Sequence, residues 1–166
     1  LSIMKSIYLF PNKLKIPALI VFVCSCILFI LEGTEIYILP EFEIPVFAIV
    51  SDDGNLFNPS TEYSSIIKNS ITDEIMECMF FIGGIVLAFS KEKIEDEMIT
   101  YIRLKSLVYA TYFLFSLLIL NELFIYGWAY LYTDIFFLYG FILFLNIFYY
   151  TKLFIYKKQF SYENED

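Results

Sequence analysis

The segments Ser106–Gly127 and Ile135–Tyr156 each run for 22 residues with one charged side chain, Glu122 in the first and Lys152 in the second. As helices rising about 1.5 Å per residue, both exceed a hydrocarbon core of ~30 Å. Two such rods could be buried in water only under a large polar coat, and the chain does not carry one. Of its 166 residues, 59% are hydrophobic and 20% aromatic, and the mean hydropathy is +0.68. Too few polar side chains remain to cover the apolar surface, whereas lipid tails tolerate it. Insertion in a bilayer follows.

Two further apolar runs, Ile16–Leu31 and Ile75–Ser90, have 16 residues each. They are slightly short, so snorkelling or local thinning of the bilayer is expected at their ends. The sequence thus predicts an all-α integral membrane protein: a four-transmembrane-helix bundle with a small extracytoplasmic cap of short strands plus a helix. Residues 1–15 form an N-terminal segment, 16–31 the first span, 32–73 an outer loop and 75–90 the second span. Residues 91–105 form an inner helix, 106–127 the third span, 128–134 an outer turn, 135–156 the fourth span and 157–166 a tail. Lys5, Lys13 and Lys15 before the first run give a signal-like outline. Glu32-Gly33-Thr34-Glu35 after it offers no small-residue cleavage site, so an uncleaved anchor is expected.

Orientation follows from the bases. With the N-terminus inside, all 11 Lys and Arg except Lys68 fall on one side of the membrane. That asymmetry is the positive-inside pattern and places both termini in the cytoplasm. Trp128, Tyr130 and Tyr132 at one level, and Tyr149, Tyr150 and Tyr156 at the other, suit interfacial belts. The net charge of −8 has its acids concentrated in Glu32–Glu77 and in the tail, apart from the bases. No basic patch suits nucleic acid. Histidine is absent, and Cys24, Cys26 and Cys78 sit in or beside apolar runs as small hydrophobes.

The outer loop reads as two strands, Glu35–Leu39 and Phe42–Val50, broken by Pro40 and Pro45. A turn at Asp52-Asp53-Gly54-Asn55 follows, and then a short helix from Ser60 or Thr61 to about Asn69. Thr72, followed by Asp73 and Glu74, reads as the N-cap of the second span.

The inner segment has no Gly or Pro. Lys91 with Glu95 and Lys93 with Glu97 stand at i,i+4, and Ile94, Met98 and Ile102 form a stripe at helical spacing. Ser90-Lys91-Glu92-Lys93-Ile94-Glu95-Asp96-Glu97, with Ile99, Arg103-Leu104 and Ser106-Leu107, resembles a motif of small four-span membrane proteins of Bacteroidota. Leu9-Phe10-Pro11-Asn12-Lys13 and Ile71-Thr72-Asp73-Glu74-Ile75 are similar to other parts of the same family. The resemblance implies location and architecture and no chemistry.

Glu92, Glu95, Asp96, Glu97 and Arg103 are the candidates for contact with a cytoplasmic protein partner, the bland alternative being a solvated, salt-bridged helix face. Glu92 and Asp96 at i,i+4 could instead share a cation. Glu122, Glu77 and Asp134 should lie at one outer level; intramembrane carboxylates are costly, so a shared acidic site is weighed against separate access to interfacial water. Asn146, mid-span, must find a partner in the bundle, with Thr111, Ser116 or Ser25 in reach. Gly84 and Ala88 make a small-xxx-small pair. No nucleophile elbow, phosphate loop or zinc spacing is present, and no cofactor or metal is implied. The function expected is that of an accessory, sensory or regulatory membrane component acting through partners at 91–105 or the outer loop. The alternatives are a small oligomeric channel or transporter using Glu122, and a membrane-embedded lipid or envelope enzyme.

Overall fold

The structure, a computed structural model, describes residues 9–34, 40, 42–52 and 61–163. The chain divides into two compact units, Leu1–Cys24 with Phe80–Asp166, and Ser25–Met79. A short 3-10 turn, Asn12–Leu14, leads into helix α1 (Lys15–Gly33). Pro17 is harmless in the first turn of α1, where a backbone N–H has no helical acceptor in any case. Strands β1 (Glu43–Asp52) and β2 (Thr61–Ser70) follow, then α2 (Thr72–Ala88), α3 (Glu97–Phe124) and α4 (Trp128–Glu163).

In the larger unit, α3 packs along α4. One core cluster joins Ile99 and Ile102 of α3 to Tyr149 and Leu153 of α4. A second joins Ala88, Ala110 and Leu145, with Phe89, Leu107, Phe141 and Phe144 around them. Phe113 stacks on Phe144 with ring centres 4.6 Å apart. The glycines of α2 let helices approach closely: a Cβ on Gly84 would collide with Cγ2 of Ile142, and one on Gly83 would come within 3.0 Å of the Phe22 backbone nitrogen. Gly84 therefore serves packing inside one chain, against α1 and α4.

Among the described residues three helical segments are long and apolar enough to cross a membrane: Asn12–Gly33, Glu97–Phe124 and Ala129–Gln159. Less than a fifth of the apolar window in each is buried by the protein itself. Leu19, Ile20, Leu120, Leu123, Phe136 and Phe154 all stay exposed, as side chains that face lipid must. This is the build of a multi-pass membrane protein. The expected second span, 75–90, corresponds to α2, whose 17 residues span about 26 Å and leave it outside that set.

Several expected boundaries move. The inner helix expected over 91–105 begins only at Glu97, and residues 91–96 are not helical. Asp96 is extended and caps α3, its Oδ1 accepting from the Ile99 N–H at 2.6 Å. The outer turn expected at 128–134 shrinks to Ile125–Gly127, because Gly127 takes φ +73° and reverses the chain within three residues. Residues 128–134 then belong to α4, which continues through 157–163 as well.

In the smaller unit, β1 and β2 pair antiparallel from Glu43↔Ser70 to Asp52↔Thr61. The helix expected over Ser60–Asn69 is therefore a strand at 61–69. Thr61, Tyr63, Ile66 and Ile67 suit a pleated surface, and cross-strand pairing supplies what a two-turn helix would lack. Ser64 sits at φ +56° within it. Pro45 is accommodated because its ring nitrogen faces away from β2, on the unpaired side of β1. Thr72 does not cap α2. Its hydroxyl donates to the Pro40 carbonyl at 2.9 Å and accepts from the Phe42 N–H at 3.3 Å. The expected strand Glu35–Leu39 and the turn residues Asp53–Asn55 lie outside the described residues.

Candidate functional site

In the larger unit the start of α1, the end of α2, the start of α3 and the last turns of α4 meet at one junction, built first from backbone. Phe10 forms a parallel bridge with Ser90: its N–H donates to the Phe89 carbonyl at 3.0 Å, and its carbonyl accepts from the Lys91 N–H at 2.9 Å. Asn12 Nδ2 adds a bond to the Lys91 carbonyl at 2.6 Å. The loop 91–96 is thus pinned to the chain that precedes α1.

Charged side chains complete the junction. Glu92 is buried, with one carboxylate oxygen on Lys15 and the other 2.8 Å from Lys157 Nζ. Burial pushes its carboxyl up, but the two ammonium groups outweigh this by hydrogen bond and charge, and hold it below the ordinary carboxylate range. Arg103 is 6% exposed, and its guanidinium donates to Glu95 Oε1 at 2.6 Å, the Ser90 carbonyl at 3.2 Å and the Tyr149 hydroxyl at 3.1 Å. Glu95 in turn accepts from the Glu92 N–H at 2.9 Å. Asp96 caps α3 with one oxygen and accepts from the Tyr156 hydroxyl with the other, at 2.9 Å. Tyr150 lies under Lys15, 5.0 Å from Nζ to ring centre, and its hydroxyl donates to the Leu87 carbonyl at 3.0 Å.

Of the five inner-segment candidates, Glu92, Glu95, Asp96 and Arg103 are engaged inside the chain, and Glu97 is exposed in the first turn of α3. The expected pairs Lys91–Glu95 and Lys93–Glu97 do not form, because no helix brings them to i,i+4. Nor do Glu92 and Asp96 face one another to share a cation: Lys15 and Lys157 occupy Glu92, and the α3 N-terminus and Tyr156 occupy Asp96. Among the described residues no group of three or more Cys, Asp or Glu is placed to hold a metal ion. Lys15, Lys157, Tyr149 and Tyr156 were not singled out as candidates. In the sequence the two lysines count only among the orienting bases, and Tyr149 and Tyr156 only among the tyrosines that suit an interfacial belt.

The opposite end of α3 and α4 carries other candidates. Asn121 is buried and donates Nδ2 to Asp134 Oδ1 at 2.7 Å and to the Tyr130 carbonyl at 3.3 Å. Glu122 is exposed, beside a shallow depression formed with Ile125, Tyr126, Gly127 and Tyr130. The Tyr130 hydroxyl stands near both Glu122 and Asp134. Glu77 is exposed on the smaller unit's part of α2. Asn146 is buried and spends its amide on the Gly84 and Ile142 carbonyls, at 3.1 and 2.9 Å; Thr111 and Ser116, two of its expected partners, bond their own helix at Leu107 and Tyr112. Its Oδ1 has no hydrogen-bond partner among the described residues. No family model, curated protein or solved structure matches the chain.

Proposed function

We propose that the chain is a four-span protein of a bacterial inner membrane, with both termini cytoplasmic, that works as an accessory, sensory or regulatory component through protein partners. The meeting of four helix ends at one junction supports four spans. If α1 leaves that junction and crosses, the chain must return before Ser90, and α2 is the only helix described between them. Its shortfall of a few ångströms is within what bilayer thinning accommodates. The bases collected at the junction, Lys15, Arg103 and Lys157, favour the cytoplasmic side for it.

The observation that carries the partner reading is the division of the inner segment. Glu92, Glu95, Asp96 and Arg103 turn onto the chain's own helices and tie the junction together, while Glu97 stays exposed. Ile94, 80% exposed, and Met98 face outward beside it. A polar clasp that presents apolar side chains offers a contact surface rather than a reactive group. The test is gentle detergent extraction followed by native mass and mass spectrometry of co-purifying chains. A stoichiometric second protein, lost in Ile94→Asp and Met98→Asp, is the expected result. A homogeneous assembly of this chain alone, unchanged by both substitutions, overturns the reading.

A further inference from the structure

A cavity of about 300 Å³ opens at the junction, lined by Asn12, Lys15, Ile16, Glu92, Lys93, Ile94 and Lys157. We propose that it binds the phosphate of an anionic membrane lipid, with the acyl chains lying along the outward face of α1.

Three lysines against one carboxylate leave the lining with an excess of two positive charges. Glu92 fixes two of the lysines in place without neutralising both. Lys93 is exposed and has no ion-pair partner among the described residues. Positioned ammonium groups around a small opening match the compact, multiply accepting oxygens of a phosphodiester. The volume lies at the small end of ligand pockets, which suits a headgroup and not a whole lipid.

The walls decide between a lipid and a soluble phosphate. Ile16 and Ile94 are exposed at the rim, and below Ile16 the side chains of Leu19, Ile20 and Val23 continue one exposed apolar stripe at helical spacing. The cavity lies where one candidate span begins, at Asn12, and another ends, at Gln159, two residues past Lys157. A headgroup at that level puts its chains against the stripe. A free phosphate would gain nothing from it. Basic pockets between spans at a membrane surface recognise anionic headgroups on this principle. The proposal needs membrane insertion; it shares Ile94 with the partner reading, and Lys93→Gln and Lys157→Gln, which leave Ile94 in place, tell the two apart.

The test is native mass spectrometry of the full chain in mild detergent, titrated with phosphatidylglycerol or with phosphatidylcholine of the same acyl chains. Phosphatidylglycerol should be retained at least about fivefold better. Lys93→Gln and Lys157→Gln should each weaken it about fivefold, the effect of one lysine near a membrane surface. Lys105→Gln removes the same charge away from the cavity and should change little. Equal retention of the two lipids, or equal losses in Lys93→Gln and Lys105→Gln, would overturn the site. Displacement of the lipid by millimolar inorganic phosphate would overturn the lipid assignment in favour of a soluble anion. Should Lys157→Gln fail to fold, Lys93→Gln decides alone, since Lys93 supports no ion pair.

Discussion

The two ends of the α3–α4 pair hold their polar residues in opposite ways. At the junction with the loop 91–96, two acids meet partners far away in sequence, Glu92 with Lys15 and Lys157 and Asp96 with Tyr156, while Glu95 meets Arg103 eight positions on. At the Gly127 turn the contacts are local, Asn121 reaching Asp134 and Tyr130 within the same hairpin. No cation joins that second cluster among the described residues, and Glu122 stays exposed. The first arrangement ties separate helices together, so its loss should loosen the fold. The second only closes a tight turn, and its carboxylates are left available to water. Substitutions at Arg103, Gly84, Glu92 and Glu122, with their controls, test how deep this difference runs.

The largest effect is expected at Arg103. Arg103→Ala leaves Glu95, the Ser90 carbonyl and the Tyr149 hydroxyl without their shared donor, where Ser90 and Tyr149 are buried and Glu95 is half-buried. Removing one member of a buried ion pair costs about 3–5 kcal/mol. Arg103→Lys keeps the charge but not the fork, and should recover part of that loss. Unfolding in mild detergent, followed by circular dichroism during titration with a denaturing detergent, measures both. A cost below about 1 kcal/mol for Arg103→Ala would erase the distinction between the two ends.

Next comes the packing that lets α2 reach the junction. Gly84→Val sets a branched side chain against Ile142 and the Phe22 ring and should destabilise by about 1–3 kcal/mol. Gly140→Ala is the counterpart, since nothing stands within 4 Å of a Cβ there. It should stabilise α4 by up to about 1 kcal/mol. The same unfolding assay separates them by sign. Equal effects would mean that α2 does not pack as closely as the structure has it.

Where the sequence was readable, and where it was not, follows the same line. Long apolar runs announce α1, α3 and α4 because the cost of exposing them to water is summed over every residue. The inner segment 91–96 misleads because its local signals, no Gly or Pro and charges at i,i+4, are worth only tenths of a kcal/mol. Partners 65 and 77 positions away, Lys157 and Lys15, claim Glu92 instead. β2 shows the same override: Ser60 or Thr61 looked like a cap, and pairing with β1 decided the outcome. Asn146 was legible as a polar residue in need of a partner, but not its acceptor on Gly84, which only the close approach of α2 creates.

A smaller effect than either substitution should come from titrating Glu92. Its folded value lies below the unfolded one of about 4.5, so the folded state binds fewer protons. The stability it contributes is fully present above that value and is lost as the pH falls through the folded value. Detergent-unfolding midpoints should therefore fall on acidification below about pH 4.5, and Glu92→Gln should flatten that part of the profile. Lys13→Gln, outside the clasp, should leave the slope as it is. An unchanged slope in Glu92→Gln would show that the lysines at the junction do not depend on its charge.

The smallest effect on stability belongs to Glu122→Gln, and it is where the channel alternative meets the comparison. Glu122 is exposed at the turn end, and a surface substitution of this kind shifts stability by no more than about 0.5 kcal/mol. If the turn end is only a tight reversal, the variant should match the wild type in every respect. Reconstituted in liposomes, both should show the same ion leak, because the amide of Asn146 is spent on the Gly84 and Ile142 carbonyls. A cation flux in the wild type that Glu122→Gln removes, at unchanged unfolding midpoint, would break the comparison from the other side. The turn end would then be the working part of the molecule, and the clasp at the junction the frame that holds it.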